Sequence, residues 1–254
     1  MTRVAITGAT GAMGASVRET IADRSNVTAA LAITRSSTPK LDLPTVPPAE
    51  TAAGFRDYDI DVVIDFTTPD ASLSFVDAAT DAGVAAVIGT TGFSDTERSQ
   101  LEDAADIIPL LVAPNFSRGV AALDAALETV LEQLPGYDIE LTETHHNRKQ
   151  DAPSGTAKRF LETIETARPE ATQVHGRVGD APRSPDEIGV HARRVGEETG
   201  EHEIILGGND EQLRLTHRAG SRRVFAAGAI DAAVWIDGQA PGTYAFHDVL
   251  AADP

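Results

Sequence analysis

The feature that constrains this fold most is a glycine-rich turn near the beginning of the chain. Gly8, Gly11 and Gly14 follow an apolar run from Arg3 to Thr7 and open a helical pattern that continues to about Asp23. Between a strand and a helix, glycine permits a tight bend and lets the backbone approach a pyrophosphate, which the N–H groups of the helix start attract. The motif predicts a dinucleotide site, with a glycine-rich turn that binds no ligand as the alternative. It is not a P-loop, because none of the three lysines is followed by Ser or Thr.

Strands alternate with helices through the first half of the chain. Apolar runs rich in Val and Ile predict strands at 3–7, 27–33, 61–66, 84–89 and 106–112, with helices near 69–82 and 95–105. Continuously apolar strands separated by helices are typical of a parallel sheet covered on both faces. Between Thr34 and Asp57 four prolines interrupt the pattern, and we predict an irregular connection there. The first half is therefore predicted to be a doubly wound α/β domain.

The pattern changes after Asn115. The sequence predicts a helix at 119–134, a strand at 138–144, a helix at 155–167, a polar stretch through 187, and then strands at 189–195, 202–206 and 212–218. Strands grouped without intervening helices indicate a mixed or antiparallel sheet, and hence a second, α+β domain. An Ala-rich helix from about Val224 and a short helix near 244–250 end the chain.

Composition excludes several classes of protein. The chain has 0 Cys, so disulfides, thiolate zinc sites, iron–sulfur clusters and cysteine nucleophiles are ruled out. A net charge of −18 makes nucleic acids and anionic membranes unsuitable partners. No membrane span or signal peptide is recognisable, so we expect a cytoplasmic protein. We interpret the acidic composition as that of a halophilic protein, because molar salt shortens the Debye length to ~3 Å and so screens the repulsion between surface carboxylates. An ordinary acidic mesophilic enzyme is the alternative.

The coenzyme preference depends on the end of the second strand. In NAD-binding folds an acidic residue near this position bonds the ribose hydroxyls, but this chain has Thr34, followed by Arg35, Ser36 and Ser37, which can meet a 2′-phosphate. The sequence thus favours NADPH, with NADH possible; a solvated Arg35 is the alternative. The Tyr-x-x-x-Lys pair of short-chain dehydrogenases is absent, because no tyrosine has a lysine four residues later.

A basic segment at 145–159 stands out in this acidic chain, with four positive residues and one negative. On a loop between a strand and a helix it would concentrate cations for an anionic substrate. Ser154, Gly155 and Thr156 have the pattern of a helix start that can hold a carboxylate, or simply of a capped helix. His145 and His146, adjacent on a strand, point to opposite sides and make a poor metal pair, so we predict no metal and expect proton transfer instead.

The segment HHNRKQDAPSGTA resembles the signature of the dihydrodipicolinate reductase (4-hydroxy-tetrahydrodipicolinate reductase) family. The blocks VAITGATGAMG, VVIDFTTP, VIGTTGF, APNFSRGV and RLTHRAGSRRVFAAGAI fall in that family's order over almost the whole chain. The resemblance implies a Rossmann-like domain at 1–116 plus 226–254, and an α+β domain at 117–225 that binds substrate and builds a homotetramer. It also implies NADPH- or NADH-dependent reduction of the dihydrodipicolinate synthase product, a small dicarboxylate, in diaminopimelate and lysine synthesis.

The resemblance also assigns residues. His145 corresponds to the proton donor and acceptor and Lys149 to a second proton donor, and the substrate's carboxylates would be bound by His146, Lys149, Ser154, Gly155 and Thr156. The coenzyme contacts implied are Gly8, Ala9, Thr10, Gly11, Ala12, Met13, Thr34, Arg35, Gly89, Thr90, Thr91, Ala113, Pro114, Asn115 and Phe116.

This chain departs from the family pattern at three places. Thr34 stands where many relatives carry an acidic residue, the connection after Arg35 is rich in proline, and Thr68 replaces a frequent basic residue. Two other functions stay open: a dehydrogenase of the same fold for another small amino or imino acid, and a non-catalytic dinucleotide-binding redox sensor. The set of His145, Lys149 and the 154–156 turn argues against the sensor, which has no use for it.

Overall fold

The structure is a computed structural model that describes residues 1–35 and 41–252. The chain divides into two compact units, Met1–Ser117 together with the residues from Arg222 onward, and Arg118–Ser221. The strands, numbered along the chain, are β1 (Thr2–Thr7), β2 (Val27–Ile33), β3 (Thr45–Val46), β4 (Val62–Asp65), β5 (Ala85–Ile88), β6 (Pro109–Val112), β7 (Asp138–His145), β8 (Thr172–His175), β9 (Glu187–Arg194), β10 (Glu201–Gly208), β11 (Glu211–Arg218) and β12 (Gly242–Tyr244). The helices are α1 (Ala12–Ile21), α2 (Thr51–Asp57), α3 (Pro69–Ala82), α4 (Asp95–Ala105), α5 (Arg118–Gln133), α6 (Gly155–Ala167), α7 (Arg223–Ile236) and α8 (Phe246–Ala252).

The first unit is built on a seven-stranded sheet in the order β12-β6-β5-β4-β1-β2-β3. Every neighbouring pair is parallel. β4 and β5 are completely buried and β1 almost completely, as their apolar runs require. The strand order reverses beside β1, and ligands of such sheets bind beyond the carboxyl ends of the strands at that point. The predicted doubly wound parallel sheet is confirmed.

The second unit contains a five-stranded mixed sheet in the order β11-β10-β7-β9-β8. β7 is antiparallel to β10 and parallel to β9. The apolar stripes of α5 and α6 pack on one face of this sheet, where Leu127, Phe160, Leu141 and Ile204 are fully buried. This is the α+β architecture that the sequence predicted.

Local sequence accounts for the helix ends that position the loops. α3 begins with Pro69, whose missing N–H costs nothing in a first turn, and ends at Gly83, whose φ of 70° favours glycine. α4 begins with a capping box in which Ser94 and Glu97 bond each other's backbone N–H groups.

Several local expectations were wrong. The connection predicted as irregular contains β3, a 3-10 turn at Pro48–Glu50 and α2, because Pro48 starts that turn and Phe55 is buried against the sheet core. The polar stretch before 187 contains β8, a short edge strand. Tyr244, predicted to lie at the start of the last helix, belongs to β12, and that helix begins at Phe246. β6 is also shorter than predicted, since α4 is followed by a turn at 106–108.

Within the described ranges, no helix combines the length and apolar character needed to cross a membrane.

Candidate active site

The glycine turn joins β1 to α1 with the geometry of an anion cradle. The N–H of Gly11 donates to the carbonyl of Gly8 at 2.8 Å, and Gly11 precedes α1 without a side-chain cap. The first amides of a helix, here those of Ala12 and Met13, have no acceptor within the helix, and the first turn carries no acidic residue. A Cβ on Gly14 would lie 2.5 Å from the Gly8 carbonyl oxygen, so only glycine lets the turn close on the helix. These residues fit a dinucleotide pyrophosphate.

The end of β2 presents hydroxyl and guanidinium groups. Thr34 is buried, its Oγ1 lies 3.2 Å from the Oγ1 of Thr10, and Arg35 is exposed. This places both residues beside the glycine turn. Ser36 and Ser37, also predicted near a 2′-phosphate, lie outside the described residues.

A buried carboxylate links the loops at the carboxyl edge of the first sheet. Asp65, the last residue of β4, is 0% exposed and accepts hydrogen bonds from the hydroxyls of four residues. The Oγ1 atoms of Thr67 and Thr90 lie 2.7 Å from its carboxylate oxygens, and the hydroxyls of Thr7 and Ser72 complete the set. Asp65 therefore joins the strand before the glycine turn to the loops after β4 and β5.

The remaining predicted coenzyme residues follow β5 and β6. Gly89 packs so closely on Phe66 that a Cβ would lie 2.0 Å from its ring, while Thr91 is exposed. Ala113, Pro114 and Asn115 follow β6, and the Asn115 side chain accepts the N–H of Ser117 at 2.7 Å. The ring of Phe116 is completely buried, 5.7 Å from that of Phe66 and 5.3 Å from that of Phe246. The Phe116 ring thus supports the loop through buried contacts and is not exposed to a ligand.

The basic segment of the second unit is less positive in the fold than along the sequence. Arg148 forms two hydrogen bonds of 2.6 Å with Glu197, and Arg159 bonds Asp124 at 2.9 Å. Lys149 is mostly buried and lies 2.8 Å from Asp151. Carboxylates distant in sequence therefore neutralise the two arginines, and Lys149 is the cation next to His146.

β7 ends at His145, one residue later than predicted, and His146 follows the strand. His145 is buried and His146 is half-buried. The Nδ1 atom of His145 lies 3.4 Å from a carboxylate oxygen of Glu143 and has no hydrogen-bond partner among the described residues. His202, on β10, packs edge-on against the His145 ring at 5.2 Å.

Glu143 is the centre of this group. It is 0% exposed, accepts the backbone N–H of Ser154 at 3.1 Å, and bonds Arg194 at 2.9 Å. Glu143, His145 and His202 come within 4.8 Å of one another, a spacing that an ion can bridge. Because Arg194 and the Ser154 amide already bind the carboxylate, we interpret the group as one that holds and moves a proton.

Burial and charge shift the pKa values of this group. Burial lowers the pKa of His145, Glu143 opposes that shift, and the nearby cations reinforce it. Burial alone would raise the pKa of Glu143, but the bonds from Ser154 and Arg194 outweigh it and the pKa lies below its usual range. Burial lowers the pKa of His202 to about 3. Both histidines are therefore neutral at pH 7.

Ser154 caps α6, but its polar atoms are already bonded. Its Oγ accepts the N–H of Ala157 at 3.2 Å and lies 3.0 Å from Nε2 of His202, while its own N–H is bound to Glu143. The donor that this turn can offer to a carboxylate is the first-turn amide of Gly155, beside which a Cβ would meet open space. The structure thus gives Ser154 a supporting position and leaves Gly155 the more accessible.

Sequence reasoning missed Asp65, Glu143, Arg194 and His202. A signal was present for two of them: Glu143 continues the inward-facing positions of Ile139 and Leu141, and His202 continues those of Ile204 and Leu206. A charged or titratable residue at an apolar position of a strand is expensive to bury, and such residues are functional candidates. Arg194 has no comparable signal.

Comparison with known proteins gives one consistent result. The family described as “Dihydrodipicolinate reductase, N-terminus” matches residues 2–116, and “Dihydrodipicolinate reductase, C-terminus” matches residues 119–250. The chain is 51% identical over 253 residues to the 4-hydroxy-tetrahydrodipicolinate reductase of Haloarcula marismortui, covering 99% of this chain and 100% of that protein. It is 49% identical to the protein of the same name from Natronomonas pharaonis, covering 97% and 99%.

A solved structure of the same family is similar to this chain. The dipicolinate-bound dihydrodipicolinate reductase from Paenisporosarcina sp. TG-14 matches with a TM-score of 0.80 and 25% identity, covering 96% of this chain and 97% of that one. The two relatives named above come from halophilic archaea, in agreement with the halophilic interpretation of the acidic composition. On these matches, which span both units, the chain belongs to the dihydrodipicolinate reductase family.

Proposed function

We propose that this protein catalyses the NAD(P)H-dependent reduction of 4-hydroxy-tetrahydrodipicolinate to tetrahydrodipicolinate, a step in diaminopimelate and lysine synthesis. The observation that carries the proposal is the group at the end of β7. There His145 is buried beside Glu143, and one loop leads from it to the N-terminus of α6. Proton transfer and carboxylate binding, the two tasks that reduction of a small dicarboxylate requires, are thus combined on neighbouring residues.

The first unit, which we take as the dinucleotide-binding domain, supplies the coenzyme site. The coenzyme supplies the hydride when it is bound. The turn at residues 8–13 would hold the pyrophosphate, chiefly through the first-turn amides of Ala12 and Met13. The loops at 89–91 and 113–116 would hold the ribose and nicotinamide, and Thr34 with Arg35 the adenosine ribose. The absence of a carboxylate at Thr34 and the exposed guanidinium of Arg35 support a preference for NADPH over NADH.

The second unit, which we take as the substrate domain, supplies the proton. Loss of the 4-hydroxyl group and a neighbouring ring proton as water gives a conjugated imine, and hydride arrival at its C4 then leaves negative charge on that system. His145 would donate the proton that quenches this charge, with Lys149 as a second donor, and nearby cations stabilise it meanwhile. His146, Lys149, Gly155 and Thr156 would bind the two carboxylates, and Ser154 would hold the turn in place. We propose that the reaction needs no metal.

The test is coenzyme oxidation by the purified protein in molar KCl, with substrate generated in place by the synthase. We expect oxidation that requires the synthase and is faster with NADPH than with NADH. His145→Gln is the matched variant, and its coenzyme affinity should equal that of the wild type. If a folded protein in high salt oxidises neither coenzyme, the redox sensor or a different amino or imino acid substrate replaces this proposal.

We further propose that the protein works in the cytoplasm as a homotetramer built through the second unit. The face of its sheet opposite α5 and α6 carries Glu140 and His191, whose side chains keep 32% and 35% exposure. A sheet face without a covering helix layer is a place for a second copy to pack. Light scattering after size exclusion in molar KCl should give about four times the 26.7 kDa chain mass, and a monomer would contradict the proposal.

A further inference from the structure

We propose that Glu143 is the positioning residue of this site: its carboxylate fixes the turn at Ser154 and faces Nδ1 of His145, so that His145 exchanges its proton through Nε2. The proposal deepens the function proposed above and depends on it for the role of the proton. Glu143 is fully buried and precedes the basic segment, so the sequence pattern did not indicate this role.

Hydrogen bonds from two residues fix the orientation of the Glu143 carboxylate. One carboxylate oxygen accepts from Arg194 at 2.9 Å and both lie within 3.2 Å of the Ser154 N–H. A buried carboxylate is costly unless it is paired and hydrogen-bonded, and these two donors, one of them cationic, supply that compensation. The same carboxylate thus ties β7 to β9 and to the start of α6.

The surroundings of the His145 ring distinguish its two nitrogens. Nδ1 is buried, and the carboxylate oxygen of Glu143 at 3.4 Å is the acceptor that a proton on Nδ1 would face. On the other side, a Cβ on Gly200 would lie 3.1 Å from Nε2, so the glycine leaves room next to that atom. In the neutral ring, a proton on Nδ1 leaves Nε2 as the acceptor; in the cation, Nε2 carries the transferable proton.

Charged and titratable groups face His145 from each element packed against it. They are Glu143 on β7, Lys149 and Asp151 on the following loop, Arg194 on β9 and His202 on β10. Of the two carboxylates, Glu143 raises the pKa of His145 more strongly, whereas Lys149 and Arg194 lower it. Removing the charge of Glu143 should therefore lower the pKa of His145 further.

The experiment is an NMR titration of ring-¹⁵N-labelled histidine in the free, full-length protein, with the His145 signal assigned by its loss in His145→Gln. In the wild type, we expect neutral His145 to carry its proton on Nδ1. In Glu143→Gln, whose amide can turn its NH₂ group toward the ring, we expect the Nε2–H tautomer to appear and the pKa to fall. A wild-type ring with its proton on Nε2 would overturn the proposal, and this result does not depend on whether Glu143→Gln folds.

Activity provides a second readout. In Glu143→Gln, we expect kcat to fall about tenfold, with the alkaline limb of its pH profile moved to lower pH and coenzyme Kd unchanged. The control is Glu162→Gln on α6, which removes a carboxylate whose side chain is 66% exposed and should change neither the tautomer nor the profile. An unchanged tautomer and an unchanged profile in a folded Glu143→Gln protein would reject the positioning role.

The two readouts separate the proposals. If the wild type shows the Nδ1–H tautomer but no reductase activity, the proposed function fails and the geometry of Glu143 stands. If activity is present but the tautomer is the opposite one, only the positioning role fails.

Discussion

The two units each bury one carboxylate completely near the end of a sheet strand, and they neutralise it in different ways. Asp65 accepts hydrogen bonds from the hydroxyls of Thr7, Thr67, Ser72 and Thr90. Glu143 binds a guanidinium and a backbone amide, and it faces the rings of His145 and His202.

The difference indicates different tasks. The hydroxyl groups that bond Asp65 bring no titratable partner, which suits a carboxylate that holds loops in place. Glu143 lies against two imidazoles, whose protonation a fixed negative charge controls. On the proposals made above, the first unit uses its buried carboxylate for the shape of the proposed coenzyme site, and the second uses its own for proton chemistry.

The largest effect is expected from Asp65→Ala. The substitution leaves several buried hydroxyls without their acceptor, each at a cost of about 1–3 kcal/mol. We expect the free energy of unfolding to fall by about 4 kcal/mol in guanidinium denaturation, with weaker coenzyme binding. The control is Asp103→Ala, an exposed position of α4. A loss below about 1 kcal/mol would remove the loop-holding role of Asp65.

His145→Gln tests the proton role proposed for the buried group of the second unit. Without the proton donor that faces Glu143, kcat should fall by ~10² or more, while coenzyme Kd and the unfolding curve stay close to those of the wild type. Steady-state kinetics, coenzyme titration and denaturation measure the three quantities. Unchanged turnover would take His145 out of the mechanism.

Acid should weaken the second unit through His202. The fold lowers the pKa of His202 from 6.5 to about 3, so between these values the unfolded chain binds a proton that the folded state does not. The free energy of unfolding should therefore fall as pH drops below about 6.5, by about 1.4 kcal/mol per unit and about 2 kcal/mol at pH 5. Above about pH 6.5, His202 is neutral in both the folded and the unfolded state, and its protonation no longer lowers the free energy of unfolding.

The measurement is denaturation at several pH values, with His202→Gln compared with the wild type. The variant should lose this part of the pH dependence, whereas His247→Gln, at a side chain that is 79% exposed, should keep it. Equal pH slopes in His202→Gln and the wild type would contradict a buried neutral His202.

The smallest effect is expected at Arg35, on the surface of the first unit. Arg35→Ser removes the cation that would meet a 2′-phosphate, and the ratio of kcat/KM for NADPH over NADH should fall about tenfold, or about 1.4 kcal/mol. The control is Arg98→Ser, an exposed arginine of α4. A ratio within twofold of the wild type would show that Arg35 does not select the coenzyme.

Much of the fold could be predicted because its causes are local. The spacing of Gly8, Gly11 and Gly14 and the alternation of apolar runs with helices act over a few residues, so the parallel sheet and its glycine turn followed from the sequence. Helix α2 was missed because its stability comes from burying Phe55 against the sheet, a contact that periodicity over seven residues does not reveal.

The candidate site was predicted only where its residues are contiguous. The sequence by itself determined His145, Lys149 and the turn before α6 as one basic segment. Only the tertiary structure decided what surrounds them: strand register sets His202 beside Glu143 and Arg194 beside His145, and folding brings Glu197 and Asp124 to neutralise Arg148 and Arg159. The physical reason is that hydrogen-bond register and long-range charge pairing join residues tens of positions apart, and no local pattern encodes those distances.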